Sequence, residues 1–368
     1  MSASGSPPLV SSPLAEIHAG LGAKLAAFGG WEMPLEYAGV LPEHKAVRTA
    51  AGIFDVSHLG TFVVEGPGAA AWLNSRLSND LDRISPGQAQ YTLLLDAGGG
   101  VVDDMIVYLF GPDRVMVIPN AANSDEVLRR LRSGAGDGLV WTDRHVADAI
   151  IAVQGPVSGQ VLSGAGLPVG MGYMSFVLAD WEGGPLTVCR TGYTGELGYE
   201  VVVGADRAGL VWDRLMKAGL DLGLVPCGLG ARDTLRTEMG YPLHGQDISL
   251  EISPVEARLN WAIGWKKAAF DGAEVVRRQR QEGVERTLLG VKAVGRGIPR
   301  PGMTVVSGSG EPIGEITSGT YSPTLKTGIG LALLPAGTTP GTQVLVDIRG
   351  RREAFEVVKP PFVPSQVT

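Results

Sequence analysis

The chain has 368 residues, of which 44% are hydrophobic and 19% are charged, as in a globular protein with two or three domains and a large core. Its net charge is −7 and no stripe of Lys or Arg occurs, which argues against nucleic acid as a partner. Two distant cysteines, Cys189 and Cys227, and five histidines without metal-ligand spacing argue against a disulfide framework, an iron–sulfur site and a zinc site.

The N-terminal residues 1–13 are rich in Ser and Pro and contain no basic residue, which predicts a disordered tail and not a signal or transit peptide. No apolar run approaches the roughly 20 residues that span a bilayer. Neither GxGxxG nor GxxxxGK[ST] occurs, so nucleotide binding lacks its usual sequence support. We therefore predict a cytoplasmic protein with no membrane contact and no metal, flavin or nucleotide.

Two segments resemble one another, GTFVVEGPGAAAWLNSRL at 60–77 and AIIAVQGPVSGQVLSGAG at 149–166. Each predicts a strand, a Gly-Pro pair and a helix, because Pro67 and Pro156 stand where proline is best tolerated, at a helix start. Such repetition indicates duplicated βαβ-like units, so we expect two related α+β halves.

The region that joins the two repeats predicts a β-hairpin, a strand and a helix. QAQYTLLLD and VVDDMIVYLF are β-rich runs around the glycine turn AGGG, and VMVIPNA is a further strand that reaches Asn120. Ser124 is the expected N-cap of the helix SDEVLRRLRS. Further on, AGLVWDRLMKAG predicts an amphipathic helix, and PCGLGARDTLRTEMG predicts a loop and a helix that Gly240 ends.

The C-terminal part changes in character. Residues 271–286 are polar and charged and predict an exposed linking helix. Residues 287–365 contain short β-rich runs between Gly/Pro turns, which is typical of a small β-barrel. We expect two interleaved α+β domains, 14–145 and 146–270, before this linker and barrel.

Two adjacent carboxylates lie inside the apolar strand VVDDMIVYLF. Since side chains alternate along a strand, Asp103 shares a face with Met105, and Asp104 points to the opposite face with Ile106. At least one carboxylate then lies among apolar neighbours, which is unfavourable unless it is hydrogen-bonded. Either carboxylate could cap the glycine turn or serve a functional site.

Glycines surround one carboxylate in GYTGELGYE, residues 192–200. Such a loop lets a ligand approach the backbone, and Glu196 within it could accept two N–H groups from a flat heterocycle. The alternative is a solvated glutamate on a hairpin.

Arg232 and Tyr91 are further candidates. Arg232 stands in the first turn of a predicted helix, where a cation opposes the helix dipole by about 0.3–1 kcal/mol. An anion or a carboxylate partner would explain this position, and a surface arginine is the alternative. Tyr91 is either a core aromatic or a ring that stacks on a flat ligand.

Several of these stretches together resemble one family, the aminomethyltransferases (T-proteins) of the glycine cleavage system. The resemblance covers about residues 14–363 and rests on GGWEMPLEY, VRTAAGIFDVSHLG, GGGVVDDMIVY, IAVQGP, RTGYTGELGYE, PCGLGARDTLRTEMG and ITSGTYSPTL, which occur in the family's order. It implies a three-domain cloverleaf, with two related α+β domains of ferredoxin-like (split βαβ) type and a C-terminal β-barrel. Folate would bind in the centre.

The resemblance also implies a reaction, a co-substrate and a partner. The methylene of an aminomethyl group on the dihydrolipoyl arm of H-protein would pass to tetrahydrofolate, and ammonia would be released. The partner would be lipoylated H-protein, and the enzyme would be a monomer.

Individual roles follow from the same resemblance. Asp103 matches the catalytic carboxylate, and would position the folate amine, stabilise positive charge or accept a proton. Glu196 matches a pterin-binding carboxylate and Arg232 a substrate-binding arginine. The implied folate pocket also includes Tyr91, Asn120 and Tyr193. The family also uses a residue near the C-terminus, sometimes a tyrosine; in PFVPSQVT no aromatic residue follows Phe362, so no residue is assigned to that contact.

Two other functions stay open. One is a folate-dependent demethylase of a small methyl donor. The other is a non-enzymatic folate-binding protein that assists iron–sulfur assembly, but such a protein carries a cysteine in a KGCYxGQ-type motif. The corresponding stretch here, GYPLHGQDI, contains none.

Overall fold

The computed structural model describes residues 8–368 of the chain. Within that range there are eight α-helices: α1 (Ala15–Gly20), α2 (Val40–Thr49), α3 (Ala69–Arg76), α4 (Ser124–Arg132), α5 (Ser158–Gly164), α6 (Ala208–Gly219), α7 (Leu229–Met239) and α8 (Ala273–Glu282). The same residues form twenty β-strands: β1 (Val10–Ser11), β2 (Lys24–Phe28), β3 (Trp31–Glu36), β4 (Ala51–Asp55), β5 (Phe62–Glu65), β6 (Gln88–Leu95), β7 (Val101–Gly111), β8 (Arg114–Pro119), β9 (Val140–Asp143), β10 (Asp148–Gln154), β11 (Phe176–Trp181), β12 (Gly184–Cys189), β13 (Gly198–Gly204), β14 (Leu224–Pro226), β15 (Arg286–Ala293), β16 (Thr304–Val306), β17 (Pro312–Ser322), β18 (Thr327–Pro335), β19 (Gln343–Ile348) and β20 (Arg351–Val358).

The strands build three sheets and one closed barrel. A small N-terminal sheet has the order β1-β3-β2, a five-stranded sheet the order β6-β7-β8-β5-β9, and a six-stranded sheet the order β11-β12-β13-β10-β4-β14. The barrel closes in the order β15-β18-β17-β16-β19-β20. The predicted α+β class with a C-terminal β-barrel is confirmed.

Both copies of the sequence repeat fold as a strand, a turn and a helix. The first copy is β5 with α3, and the second is β10 with α5. Strand β4 precedes both copies, yet it pairs with β10 and β14 in the six-stranded sheet. The two α+β units are therefore interleaved along the chain.

The N-terminal segment differs from the predicted tail over residues 8–13. Val10 of β1 pairs with Trp31 of β3, and the side chains of Ser12 and Leu14 are buried. The Ser/Pro-rich composition suggested disorder, but β3 offers a free edge on which even two residues can pair. The remainder of the predicted tail, 1–7, lies outside the described residues.

Helix α4 begins at Ser124, but its N-cap is Asn123 and not the predicted Ser124. The Asn123 side chain makes no capping bond. It donates instead to the carboxylate of Asp103 at 2.7 Å. The prediction was wrong because a 3₁₀ turn over Ala121–Asn123 leads directly into α4, so Ser124 already has helical dihedral angles (φ −52°, ψ −50°).

The five-stranded and six-stranded sheets share an apolar cluster, called here the shared cluster. Its members include Tyr108 and Ile118 from the first sheet, and Ala152 and Val202 from the second. Helices α3 and α4 cover the other face of the first sheet, and α5 and α6 cover that of the second. The parity of a residue along its strand therefore decides whether it faces these helices or the shared cluster.

Helix α7 brings the sequence motif GLGARD to the shared cluster. Its residues Ala231 and Leu235 belong to that cluster. The helix ends at Gly240, as predicted, because glycine accepts the left-handed conformation found there (φ 67°).

Candidate active site

The two carboxylates of β7 point to opposite sides of the five-stranded sheet. Asp103 lies on the face of Met105, which packs towards α3 and α4, and it is fully buried (0% exposed). Asp104 lies on the face of Ile106, which packs on the shared cluster, and it is half-buried. Neither one caps the glycine turn, since Asp96 accepts that bond from the N–H of Gly100. Only Asp104 faces the six-stranded sheet.

Asparagines hold the carboxylate of Asp103. The N–H of Asn120 donates to Oδ2 at 2.9 Å, and the amides of Asn120 and Asn123 donate to Oδ1 at 2.9 and 2.7 Å. Asn123 also donates to Nδ1 of His244 at 3.0 Å, and the Nε2 of that ring contacts the carbonyl of Val101 at 3.0 Å. In this pattern Nδ1 of His244 accepts from Asn123, and Nε2–H donates to the carbonyl of Val101.

Asp104 is bound to Asp103 through a common donor. The Asn120 amide donates to Oδ1 of Asp104 at 2.8 Å as well as to Asp103. The hydroxyl of Tyr91 donates to Oδ2 of Asp104 at 2.9 Å. Asn120 thus joins the two carboxylates, and Tyr91 adds a second bond to Asp104; both are predicted site residues.

The carboxylate pair holds its proton more tightly than ordinary aspartates do. Burial and the negative charge of Asp104 raise the pKa of Asp103 to about 8, against the opposing hydrogen bonds from Asn120 and Asn123. Burial also raises the pKa of Asp104. The pair therefore provides a group that can exchange a proton near neutral pH.

This raised pKa predicts a pH-dependent stability. The folded chain keeps the proton of Asp103 between its ordinary pKa of 3.8 and about 8, whereas the unfolded chain has lost it. The contribution of Asp103 to the free energy of unfolding should therefore fall as pH rises through this range, by at least about 1 kcal/mol. We expect Asp103→Asn to remove that slope, measured by urea unfolding at pH 5 and pH 8. Exposed Asp137→Asn is the control and should keep the wild-type slope; equal slopes in all three proteins would contradict the assignment.

Arg232 reaches the same region from the first turn of α7. Its guanidinium lies 4.9 Å from the ring centroid of Tyr193, and its buried Nη1 has no hydrogen-bond partner within residues 8–368. The buried Nδ1 of His58 has none there either. Burial and the charge of Arg232 lower the pKa of His58 to about 3, so its ring is neutral. Buried polar atoms without hydrogen-bond partners are unfavourable. A polar ligand or water is therefore expected to supply the hydrogen bonds that these two atoms lack.

Tyr193 lies between Arg232 and the carboxylate pair. Its hydroxyl donates to the carbonyl of Pro242. Burial raises the pKa of Tyr193, and the charges of Asp104 and Arg232 act on the same hydroxyl in opposite directions. Both charged groups therefore lie close enough to Tyr193 to act on its hydroxyl.

A further carboxylate, Glu200 on β13, also faces this region. Glu200 has the strand parity of Val202, a member of the shared cluster, and pairs with Cys189, another member. Its Oε2 accepts from Oγ1 of Thr191 at 2.5 Å, and its charge acts on Arg232. We call Asp103, Asp104, Asn120, Tyr193, Glu200 and Arg232 the central polar region.

Glu196 lies outside the central polar region, contrary to the expectation that it shares a cavity with Asp103 and Arg232. Nη1 of Arg48 donates to its Oε1 at 2.9 Å, and Nη2 of Arg48 binds Glu238 at 2.8 Å. Glu196 thus belongs to a network of ion pairs between α2 and α7. Glu196 lies in the loop before β13, just after the left-handed Gly195 (φ 79°). The direction of its side chain is therefore not set by the strand alternation that directs Glu200 inward.

Four of the six predicted site residues thus belong to the central polar region, and a fifth, Tyr91, is bonded to its Asp104. The sixth, Glu196, lies elsewhere. Sequence reasoning did not select Glu200 or the half-buried Asp104, although strand parity was a usable signal for both. It also missed Asn123, His244 and His58, for which the sequence alone gave no signal.

The remaining surface offers no competing metal or transmembrane feature among residues 8–368. No group of three His, Cys, Asp or Glu side chains there could hold a metal ion. No helix in that range is long and apolar enough to cross a bilayer. A surface cavity of about 390 Å³ beside the β6–β7 turn is lined by Arg76, but that guanidinium is already paired with Asp271 at 2.8 Å.

Family models match most of the chain. The model described as GCVT N-terminal domain matches residues 14–267, and that of the glycine cleavage T-protein C-terminal barrel domain matches residues 286–364. Among curated proteins, the aminomethyltransferase of Frankia alni is 57% identical and the match covers 96% of this chain and 98% of that protein. That of Mycobacterium tuberculosis (strain ATCC 25618 / H37Rv) is 52% identical, with 97% and 98% covered.

A solved structure is similar over the whole chain. The crystal structure of glycine cleavage system aminomethyltransferase T from Bartonella henselae superposes with a TM-score of 0.91 at 34% identity. The match covers 97% of this chain and 99% of that one.

Proposed function

The chain belongs to the glycine cleavage T-protein family, and on that premise we propose that its central polar region binds tetrahydrofolate and there receives a one-carbon unit from H-protein. The protein is an aminomethyltransferase. In the proposed reaction the C–N bond of an aminomethyl group on a dihydrolipoyl sulfur breaks and ammonia leaves. The methylene carbon forms bonds to two folate nitrogens while its C–S bond breaks. The two folate N–H protons leave, one with the departing ammonia and one on the returned thiol.

The observation that carries this proposal is the convergence of Asp104, Glu200 and Arg232 on one side of the shared cluster. A reduced pterin presents an amino group and ring N–H groups on one edge, which a carboxylate can accept. Glu200 is such a carboxylate. Its Oε2 accepts from Thr191, and among residues 8–368 its Oε1 accepts no hydrogen bond. The unpartnered Nη1 of Arg232 and Nδ1 of His58 supply further polar contacts for a ligand.

The carboxylate of Asp104 is the group best placed for the chemistry. It is half-buried, it faces the six-stranded sheet, and Tyr91 and Asn120 fix both of its oxygens. Its raised pKa suits a group that takes a proton from the attacking folate amine or stabilises positive charge beside it. Asp103 then acts as a positioning residue behind it, through their common partner Asn120.

Folate binding gives a prediction that separates the two candidate glutamates. We expect Glu200→Gln to weaken tetrahydrofolate binding at least about tenfold, because the loss of a charged hydrogen-bond acceptor costs about 1.5–3 kcal/mol. Glu196→Gln should bind folate within about twofold of wild type, since Glu196 is paired with Arg48. Calorimetric titration measures both, with exposed Asp180→Asn on the same sheet as the control. A larger loss with Glu196→Gln would assign the pterin carboxylate to the loop.

The reaction itself is tested by supplying aminomethylated H-protein and tetrahydrofolate. We expect equal amounts of ammonia and methylene-tetrahydrofolate, and neither product when folate or H-protein is omitted. A methylated folate formed from a small methyl donor would establish a demethylase instead. Folate binding without any turnover would establish a non-enzymatic binding protein.

A further inference from the structure

A basic surface lies beside the central polar region. Residues 258–280 contain six Lys or Arg and two Asp or Glu, a net charge of +4, whereas the whole chain carries −7. Four of these cations are exposed: Arg258, Lys266, Arg278 and Arg280. Among residues 8–368, none of the four takes part in an ion pair.

An exposed tryptophan connects this surface to Asp104. Trp261 is 61% exposed, and its ring stacks on Tyr91 with 5.0 Å between centroids. Tyr91 in turn donates to Asp104 at 2.9 Å. An aromatic side chain of this size in solvent is a typical centre for a protein interface.

The cations continue outward from that tryptophan. The indole N–H of Trp265 donates to the carbonyl of Asn260 at 2.9 Å, beside Trp261. The guanidinium of Arg280 lies 4.2 Å from the ring centroid of Trp265. A series of contacts therefore runs from the reactive carboxylate to Arg280 on α8, whereas Arg278, two residues earlier on the helix, points to its other side.

Backbone strain marks the same segment. Arg258 has φ 60°, a left-handed conformation that is uncommon for residues other than glycine. The N–H of the next residue, Leu259, donates to the carbonyl of Pro254 at 2.8 Å and holds this turn. Sparsely populated backbone conformations of this kind cluster at active sites and ligand clamps.

We propose that Arg258, Trp261, Lys266 and Arg280, called here the Trp261 surface, dock an acidic face of the protein that carries the aminomethyl group. The inference rests on the proposed function and adds the location of the docking site. Exposed cations without acidic partners attract a negatively charged protein and orient it during encounter. Trp261 would contact the base of the carrier's arm, which then passes along Tyr91 to reach Asp104.

The test reverses charge at two exposed positions, Lys266→Glu and Arg280→Glu in one protein, with aminomethylated H-protein as the probe. We expect the KM for H-protein to rise at least tenfold at low salt, and kcat at saturating H-protein to change less than twofold. The wild-type KM should rise with salt, and that of the variant should not. Arg351→Glu, an exposed reversal on the barrel strand β20, is the matched control and should keep the wild-type KM.

Two further measurements separate docking from the reaction. The double variant should use a free aminomethylated dihydrolipoamide as well as wild type, because that donor has no acidic protein face. An unchanged KM for H-protein, or an equal rise in Arg351→Glu, would overturn the docking site and leave the proposed function intact. Weaker folate affinity in the double variant would overturn it too, by assigning the surface to folate. Failure of the wild type to release ammonia from H-protein would refute the proposed function itself.

Discussion

We expect Asp104→Asn to slow ammonia release from aminomethylated H-protein by about 10²–10⁴-fold, the usual contribution of a group that transfers a proton. The substitution keeps the size of the side chain and an oxygen that can accept from Tyr91, so the fold should be unchanged. Folate affinity should stay within about threefold of wild type, because we assign pterin recognition to Glu200 and Arg232. Single-turnover ammonia release and folate titration measure the two effects separately.

The neighbouring substitution is the sharpest control. Asp103→Asn leaves the carboxylate of Asp104 in place and perturbs only its support through Asn120, so its rate should fall much less. Tyr91→Phe removes one donor to Asp104 and should also have an intermediate effect. If Asp103→Asn is the more damaging change, the sequence-based choice of Asp103 as the catalytic carboxylate is right and the assignment to Asp104 is wrong.

Local patterns predicted most of the fold. The glycine turn between two β-rich runs gave the β6–β7 hairpin, and the repeated Gly-Pro gave β5 with α3 and β10 with α5. The pairing of β4 with β10 could not be predicted from local patterns, because residues 51–55 and 151–154 are far apart in sequence. Such pairing depends on which edges remain free after the local elements have formed.

The candidate site was predictable in part. Alternation along β7 places Asp103 and Asp104 on opposite faces, but it does not say which face meets the six-stranded sheet. That choice depends on where α3 and α4 pack. For the motif GYTGELGYE, the glycines drew attention to Glu196, whereas the strand begins only at Gly198 and directs Glu200 inward. Asn123 and His244 are recruited by a carboxylate distant in sequence, which no local pattern reports.

The largest stability effect should come from Asp247, which joins the barrel to α7. Its fully buried carboxylate accepts from Arg236 at 2.8 Å, from the N–H of Leu243 at 2.9 Å, and from the hydroxyls of Thr317 and Ser318 at 2.6 and 2.7 Å. Truncation would leave the guanidinium of Arg236, itself only 2% exposed, without its buried partner. We expect Asp247→Ala to lower the free energy of unfolding by about 3–5 kcal/mol, measured by urea titration.

The other partner of Arg236 gives the contrast that makes this prediction specific. Asp233 pairs with Arg236 at 2.7 Å but is about half exposed (48%), so Asp233→Ala should lower stability by less than about 1 kcal/mol. Replacing both buried partners, with Arg236→Met and Asp247→Leu, should recover part of the loss, because no buried charge is then left unpaired. Equally small losses for Asp233→Ala and Asp247→Ala would mean that water reaches Arg236 and replaces the lost partner. The junction between α7 and β17 would then be too open to hold the barrel against the domains that carry Asp104 and Arg232.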